Sequence, residues 1–410
     1  MPLPPDGDYD YEQDYDHRKL RMRVLFISYE LPPIGGGGGR AALQIARRLA
    51  RRGHSVAILS SLFPGLPERE QSDGVAIYRL RVRRKKMDEC TPVELMSFML
   101  RSIPAARRLA EEMKPSVVCA FFGIPGGPAA WRLRKKRGIP YVLSLRGSDV
   151  PRPELAAHQR LHALTRPLLR RMYRDAAGLI AVSDSLRQAA LAVLPTARIE
   201  VIPNGVDTER FKPPAARSGP AGKPELLFVG RLREFKGVQD AISALPALER
   251  ALGRPARLTI VGDGPSRPAL EAQAAGLRAA GSNSEVRFLG WLDPAGLPAA
   301  YESASLLLLP SYVEGHSNVI LEALAAGLPC VASDVPGIRE TITDGREGIL
   351  IPPRDPAAIA SAAARVLADA EAWRSMSRNA RARAAEFSWD KIAAQYEAVL
   401  LRAEGKSSAS

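Results

Sequence analysis

Short runs of apolar residues alternate with helix-like stretches along nearly the whole chain, and this alternation limits the possible folds strongly. In the first half the runs lie at residues 23–28, 56–60, 75–80, 117–122, 141–145, 179–182 and 199–202. In the second half they lie at residues 225–230, 257–261, 286–289, 305–309, 330–332 and 348–351. Strands that are apolar at every position are typical of parallel sheets covered by helices on both faces. The pattern predicts an α/β protein with two doubly wound, Rossmann-like domains that face each other across a cleft.

The chain of 410 residues is long enough for two domains, each with its own core. We expect a disordered acidic head at residues 1–19, a first domain at 20–207 and a second domain at 223–386. Residues 208–222, rich in Pro, Gly and Ala, are expected to link them, and a last helix at 387–403 precedes a tail at 404–410.

Cysteine usage and hydropathy indicate a cytoplasmic protein. The three cysteines, Cys90, Cys119 and Cys330, are widely spaced, which predicts reduced thiols with neither a disulfide framework nor a metal site. No stretch of 18 uncharged apolar residues occurs, and the acidic N-terminus does not have the pattern of a signal peptide.

Positive charge is concentrated in the first half. Residues 21–210 carry 33 Lys and Arg against 16 Asp and Glu, whereas residues 211–410 carry 23 against 22. The basic clusters lie at residues 81–86, 132–137 and 166–174. They are either solvated helix faces of an Arg-rich protein or a surface for a polyanion. The asymmetry favours peripheral contact with an anionic membrane surface at its inner face. Nucleic acid is not expected as a partner, because no helix-turn-helix, zinc finger or aromatic platform is evident.

Residues 314–322 combine two carboxylates, Glu314 and Glu322, with a turn between a buried strand and a helix predicted from Asn318. Free N–H groups and the positive end of the helix dipole favour an anion at such a junction. A ligand with a phosphate at the helix tip would meet one carboxylate on each side, and carboxylates accept hydrogen bonds from sugar hydroxyls. The alternative is that both are solvated surface residues.

Two more loops after strands have the residue types of a phosphate site. Arg231 and Lys236 follow the strand that ends at Gly230, and two cations at this spacing can straddle a diphosphate. Five glycines, of which Gly37, Gly38 and Gly39 are the expected contacts, form a predicted loop at residues 32–39 before a helix from Arg40. Glycine lets backbone N–H groups approach a phosphate or sugar closely, although no P-loop lysine follows.

Together with these loops, the stretch from Ser311 to Ile349, with its motifs at 323–329, 333–337 and 344–350, resembles the donor site of retaining glycosyltransferases of family 4, which have the GT-B fold. The resemblance covers roughly residues 21–405. It implies a first domain that binds the acceptor, a second that binds the nucleotide sugar, and a last helix that crosses back to the first domain. It also implies a metal-independent reaction without a cofactor, and the sequence agrees, since no Asp-x-Asp follows a core strand.

The resemblance implies a role for each candidate residue. Glu314, Arg231 and Lys236 would be catalytic. The donor would contact Gly37, Gly38, Gly39, Gly230, Gly315, His316, Ser317, Asn318, Val319 and Glu322. Arg146 and Asp149 would bind the acceptor, although Asp149 also fits a helix cap. Many relatives have histidine where this chain has Arg146, and arginine does not deprotonate, so this side chain is expected to hold an anionic group instead.

These features predict a retaining glycosyltransferase that moves a sugar from a nucleoside-diphosphate sugar to a sugar or lipid-linked hydroxyl acceptor in cell-surface polysaccharide or glycolipid synthesis. Two alternatives stay open at this point: a nucleotide-sugar epimerase of the same fold and a non-catalytic basic binding protein.

Overall fold

The computed structural model describes residues 21–87, 90–147, 150, 159–214, 220, 222–293 and 295–405. The predicted acidic head, Asp149, residues 215–219 and 221 of the predicted linker and residues 406–410 of the predicted tail lie outside these ranges. Within the described part of the chain, no helix combines the length and apolar character needed to span a bilayer.

The first sheet has eight strands, and its order places β1 beside β5. The strands are β1 Arg23–Ile27, β2 Ser55–Ser61, β3 Arg69–Ser72, β4 Val75–Leu80, β5 Val117–Phe121, β6 Tyr141–Leu145, β7 Gly178–Ala181 and β8 Ile199–Val201. They are arranged in the order β3-β4-β2-β1-β5-β6-β7-β8. All neighbours pair in parallel except β3 and β4, which form an antiparallel hairpin.

Strand β3 corrects the prediction of a purely parallel first sheet. Its sequence, Arg-Glu-Gln-Ser from Arg69 to Ser72, contains no apolar residue. An edge strand that is exposed at alternate positions has no apolar pattern, so hydrophobicity could not reveal it.

The second sheet has six strands, which all pair in parallel. They are β9 Glu225–Val229, β10 Arg257–Val261, β11 Glu285–Gly290, β12 Leu306–Leu309, β13 Cys330–Ser333 and β14 Gly348–Ile351, in the order β11-β10-β9-β12-β13-β14. The predicted strands of this half are confirmed to within two residues at each end. Two doubly wound sheets confirm the predicted fold class.

Helices cover both sheets. Those that begin in the first half are α1 Gly37–Arg51, α2 Pro92–Met113, α3 Gly127–Arg137, α4 Gln159–Asp175 and α5 Asp184–Leu191. Those that follow are α6 Val238–Leu252, α7 Arg267–Ala279, α8 Leu297–Ser303, α9 Asn318–Ala325, α10 Pro336–Arg339, α11 Pro356–Ala368, α12 Ala370–Ala384 and α13 Trp389–Gly405.

Helix α13, at the end of the described chain, packs on the first sheet. Its buried Trp389, Tyr396 and Leu400 belong to the same apolar cluster as β1 residues such as Phe26. Glu340, directly after α10, makes a second connection between the two halves, because its carboxylate accepts hydrogen bonds from the backbone N–H groups of Asp184 and Ser185 at the start of α5. The carboxyl ends of β1, β5, β9 and β12 lie near a cleft between the halves. The domain boundaries given above stay a prediction.

The glycine run differs from its prediction in one respect. Helix α1 begins at Gly37 rather than Arg40, so Gly37, Gly38 and Gly39 form its first turn. Glycine disfavours helix, but here tertiary packing decides, because a Cβ on Gly39 would lie 2.7 Å from the Glu30 carbonyl oxygen. Only a residue without a side chain lets this turn approach the end of β1 so closely.

Candidate active site

A cavity of about 330 Å³ lies in the cleft between the two halves and is lined by residues of both. The first half contributes Glu30, Gly37, Gly38, Phe122, Arg146, Val182 and Asn204. The second half contributes Val229, Gly230, Lys236, Leu309, Glu314, His316, Ser317, Asn318 and Val319. Most of the residues predicted to form the site are therefore brought together in one place.

Two helix N-termini converge on this cavity. Helix α1 begins at Gly37 and α9 at Asn318, and neither has a side-chain cap hydrogen bond. They approach closely, since a Cβ on Gly37 would lie 2.4 Å from the Asn318 side-chain nitrogen. The first N–H groups of a helix have no partner within it and carry partial positive charge. The arrangement favours an anionic group such as a diphosphate between the two helices.

Lys236 and Glu314 form an ion pair at the cavity wall. The Lys236 ammonium donates to Glu314 Oε1 over 2.7 Å, and the Ser311 hydroxyl donates to the same oxygen over 2.9 Å. Lys236 ends a 3-10 turn at Glu234–Lys236, whereas Glu314 lies in the turn between β12 and α9, so the two meet only in the folded protein. The pair places a cation and a hydrogen-bond acceptor side by side, beside the N-terminus of α9.

Arg146, which follows β6, is held in a fixed orientation. One guanidinium nitrogen donates to Asn204 Oδ1 over 2.6 Å and another donates to the Tyr396 hydroxyl over 2.6 Å. The guanidinium carbon lies 4.3 Å from the centre of the Phe121 ring. Tyr396 belongs to α13, so the last helix helps to position a cation at the cavity.

The second carboxylate of the predicted pair, Glu322, is buried one turn into α9. Its Oε1 accepts from Arg40 of α1 over 2.9 Å, and its Oε2 accepts from the Tyr301 hydroxyl over 2.8 Å. Burial raises the pKa of Glu322, and the charge of Arg40 opposes that rise. Arg40 thus connects the two halves of the protein directly at a residue predicted to bind the donor.

Four other predicted site residues have different surroundings. Gly39 is buried against the backbone of Glu30, and Gly315 lies in the same turn as the cavity-lining His316. Arg231 follows the cavity-lining Gly230 and is close enough to lower the pKa of Glu30 from across the cleft. Asp149 lies outside the described residues.

Sequence reasoning missed Glu30, which lines the cavity and is buried. Its Oε2 accepts from the Gly36 backbone N–H over 2.5 Å, so it holds the glycine segment in place. Burial raises the pKa of the Glu30 carboxyl, while the hydrogen bond from Gly36 and the charges of Arg84, Arg231 and Arg146 oppose the rise. An acidic residue between a buried strand and a glycine run was the signal available in the sequence.

His316 lines the cavity, and its pKa departs strongly from the usual value. Its Nε2 is buried and has no hydrogen-bond partner among the described residues. Burial, followed by the charge of Arg146, lowers the pKa of His316 to about 4, whereas a hydrogen bond with the Asn204 backbone opposes this shift. The imidazole is therefore neutral at pH 7.

The free energy of unfolding should depend on the protonation of His316. The unfolded chain binds a proton on His316 near pH 6.5, whereas the folded protein binds it only near pH 4. The free energy of unfolding should therefore be independent of His316 above pH 6.5 and should decrease as the pH falls from 6.5 to about 4. His316→Gln removes the group, and we expect its urea midpoint to decrease less than that of the wild type between these pH values. Parallel curves for the two proteins would contradict the neutral, buried imidazole.

The described residues include no group of three or more His, Cys, Asp and Glu side chains that is arranged to hold a metal ion. The three cysteines are free thiols, as predicted, and Cys119 and Cys330 are buried.

Two family models match the chain. A model described as Glycosyltransferase Family 4 matches residues 35–210, and one described as Glycosyl transferases group 1 matches residues 223–369. Glycogen synthase of Mycobacterium tuberculosis is 34% identical over 405 residues, with 93% of this chain and 95% of that protein covered. Phosphatidyl-myo-inositol mannosyltransferase of Mycobacterium leprae is 32% identical over 357 residues, with 83% and 86% covered.

Solved structures with the same architecture include sucrose-phosphate synthase from Thermosynechococcus elongatus. It superimposes with a TM-score of 0.79 at 25% identity, covering 94% of this chain and 100% of that one. Anabaena HepE in complex with UDP and glucose superimposes with a TM-score of 0.70 at 20% identity, covering 93% and 100%. The latter likeness bears on the fold alone.

Proposed function

The chain belongs to glycosyltransferase family 4 and acts on nucleotide sugars, and from this membership we propose that it transfers a sugar with retention of anomeric configuration to a hydroxyl acceptor. We further propose that the acceptor is a sugar or lipid-linked molecule of cell-surface polysaccharide or glycolipid synthesis, at the inner face of the membrane. Family membership favours a transferase over an epimerase or a non-catalytic binding protein.

The observation that carries this proposal is the convergence of Lys236 and two helix N-termini at one cavity. A diphosphate bound there would be neutralised by backbone N–H groups on both sides and by the Lys236 ammonium. Arg231, which like Lys236 follows β9, adds a second cation next to the cavity. A neutral ligand would gain little from these positive groups. The site is therefore suited to a nucleoside diphosphate that leaves during the reaction.

In the proposed reaction the bond between the sugar C1 and the diphosphate oxygen breaks, and its electron pair stays on the diphosphate. The acceptor hydroxyl oxygen forms a bond to C1 on the same face, and its proton passes to the departing diphosphate oxygen. Lys236 and Arg231 stabilise the negative charge that develops, more strongly in the transition state than in the ground state. Glu314 accepts hydrogen bonds from sugar hydroxyls and so orients C1.

We propose that Glu322 accepts hydrogen bonds from the ribose hydroxyls of the donor, in exchange for its contact with Arg40. The proposal is supported by the position of Glu322 one turn behind the tip of α9, where a ribose joined to a diphosphate at that tip would lie. We propose that Arg146 and Asn204 of the first half and His316 of the second half, which all line the cavity, bind the sugar or the acceptor. The reaction would need no metal, because its cations come from the protein.

The nucleobase of the donor can be identified directly with the nucleotides that are bound in structures of the same fold. HepE was solved with UDP, and starch synthase IV of Arabidopsis thaliana was solved with ADP and acarbose. UDP and ADP are therefore the first ligands to try, with GDP as the third.

We expect one of these nucleotides, in the presence of EDTA, to stabilise the wild type against thermal unfolding. A ligand at 100 times its Kd adds about 2.7 kcal/mol to the free energy of unfolding. Glu322→Gln should weaken this stabilisation, whereas Glu371→Gln, a change on the exposed face of α12, should leave it unchanged. The sugar nucleotide of the same base is then the donor for a transfer assay.

Proton NMR of the transfer product gives the anomeric configuration directly. Retention is expected, and an inverted product would overturn the proposed stereochemistry. Stabilisation that appears only when a divalent metal is added would contradict the metal-independent site, and the absence of any stabilisation would contradict the assigned donor cavity.

A further inference from the structure

Four large apolar side chains lie exposed together beside the first half of α2. Val93, Met96 and Leu100 of that helix are 62%, 49% and 59% exposed, and Met87 just before it is 40% exposed. Their helical spacing places Val93, Met96 and Leu100 on one face. We call this set the α2 apolar stripe. Only five other large apolar side chains are as exposed among the described residues, and they are scattered over other elements.

A basic segment adjoins the α2 apolar stripe. This basic segment, residues 81–86, contains five Lys and Arg, and Arg81, Arg83, Lys85 and Lys86 are exposed. Asp88 and Glu89, which follow it, lie outside the described residues, and residues 81–90 as a whole keep a net positive charge.

The helix and the basic segment form one fixed surface because Glu94 connects them. Its Oε2 accepts from the Thr91 backbone N–H over 2.7 Å, and the Thr91 hydroxyl accepts from the Glu94 N–H, which completes a capping box at the start of α2. Its Oε1 accepts from the Lys85 backbone N–H over 2.8 Å. Hydrogen bonds from Thr91 lower the pKa of Glu94, so this carboxylate is charged but buried beneath the surface rather than displayed on it.

We propose that the α2 apolar stripe and the basic segment at residues 81–86 form a docking surface for the anionic face of a lipid bilayer. An exposed aliphatic face beside Lys and Arg is the arrangement of a helix that lies in the membrane interface. Lys and Arg near such a surface are attracted by anionic headgroups, and the stripe enters the acyl boundary. The occupant is a bilayer rather than a polysaccharide, because Val, Met and Leu side chains offer no hydrogen-bond partner to hydroxyl groups.

The docking surface is continuous with the mouth of the cavity. The Met87 carbonyl accepts from the Gly35 N–H over 2.7 Å, so the stripe adjoins the glycine segment. Tyr29 packs against Phe98 of α2 on one side and against Phe122 on the other, with ring centres 6.5 Å and 4.8 Å apart. Phe122 lines the cavity.

A membrane at the α2 apolar stripe would therefore lie beside the mouth of the cavity, on the half predicted to bind the acceptor. Resting on the proposed transferase function, this position selects an acceptor anchored in the bilayer, whose hydroxyl headgroup reaches the cavity past Tyr29 and the glycine segment. A freely diffusing polysaccharide acceptor would not need this surface.

Vesicle flotation of the full chain tests the docking surface. We expect binding to vesicles of equimolar phosphatidylcholine and phosphatidylglycerol, and little binding to phosphatidylcholine alone. Met96→Ser/Leu100→Ser should weaken binding about tenfold. The matched control is Leu289→Ser/Trp291→Ser, which removes two apolar side chains that are 42% and 57% exposed on the second half and should bind like the wild type.

The contribution of charge is tested in the same way. Arg83→Gln/Lys85→Gln should weaken binding to the anionic vesicles by up to about 30-fold, since each cation near the surface contributes about 1 kcal/mol. Arg132→Gln/Lys136→Gln removes the same charge from exposed positions on α3 and should have a much smaller effect. Equal losses for the two pairs would show that net charge, rather than this surface, determines binding and would overturn the proposal.

The result can be separated from the fate of the transferase proposal by measuring nucleotide stabilisation on the same samples. Wild type that is stabilised by a nucleotide but does not bind anionic vesicles overturns the docking surface and leaves the donor site intact. If the Met96→Ser/Leu100→Ser variant loses vesicle binding while no nucleotide stabilises the wild type, the docking surface is supported and the donor site is contradicted. Because all substituted side chains are exposed, unchanged thermal unfolding of each variant verifies that its fold is retained.

Discussion

Lys236→Met is expected to lower the kcat for sugar transfer roughly 10–150-fold, because a charge-assisted hydrogen bond contributes about 1.5–3 kcal/mol. The ammonium lies at the cavity next to the N-terminus of α9, where negative charge would develop on the leaving diphosphate. Methionine keeps most of the length and the apolar stem of the side chain but has no charge. The measurement is steady-state transfer at saturating donor, with thermal unfolding as a check on the fold.

The matched control is Lys223→Met, which breaks another lysine–glutamate pair in the same half of the protein. Lys223 contacts Glu285 over 2.8 Å at the edge of the second sheet, compared with 2.7 Å between Lys236 and Glu314. Equal activity losses in the two variants would show that the effect reflects lost stability. The activity of the double variant Lys236→Met/Glu314→Gln, compared with that of each single variant, gives the coupling energy between the two side chains. If Lys236 acted only by holding Glu314, the double variant would lose little more activity than Glu314→Gln alone.

Gly35→Ala is expected to lower kcat/KM about 100-fold by moving the glycine segment, since a displacement of about 1 Å at a positioning element can have that effect. Gly35 has a φ of +85°, which favours glycine, and an added Cβ would lie 1.9 Å from Glu30 Oε2 and 2.3 Å from Glu30 Cβ. Rotation of the Glu30 side chain cannot move its own Cβ, so the backbone has to shift. The start of α1 and the buried carboxylate would then move together.

Gly65→Ala separates the steric effect from backbone strain. Gly65 has the same φ of +85°, but no atom lies within 4 Å of the position that a Cβ would occupy. Its substitution should cost about 1 kcal/mol of stability and leave kcat/KM unchanged. A comparable activity loss in both variants would show that conformational strain alone accounts for the effect, contrary to the role given to the Glu30 contact.

Local sequence pattern was sufficient for most of the secondary structure. The strands β4, β6, β10 and β14 have the predicted bounds, and α9 follows the turn that contains Glu314 as expected. These elements are largely apolar because they are buried, so composition and position carry the same information. The polar edge strand β3 and the glycine start of α1 do not follow this relation: β3 was not predicted, and α1 was predicted to begin at Arg40 instead of Gly37.

The candidate site shows the same division. The segment 314–322 and the loops after β6 and β9 were identified because ligands bind at the carboxyl ends of parallel strands, which a linear sequence reveals. Glu30 was missed although it follows β1, because its importance depends on contacts with Gly36 and on burial. Asn204 and Tyr396, which fix Arg146, lie far from it in sequence and gave no local signal.

The two-sheet α/β architecture and the residues that follow each strand can be read from the chain before it folds, since hydrophobic periodicity and strand polarity are properties of short segments. Which of those residues meet is known only from the three-dimensional fold, which pairs Lys236 with Glu314, Arg40 with Glu322, and the N-terminus of α1 with that of α9. Such contacts depend on how the two halves close over each other and on the desolvation of each group there. No local pattern encodes either quantity, and both arise from packing between segments that are distant in the chain.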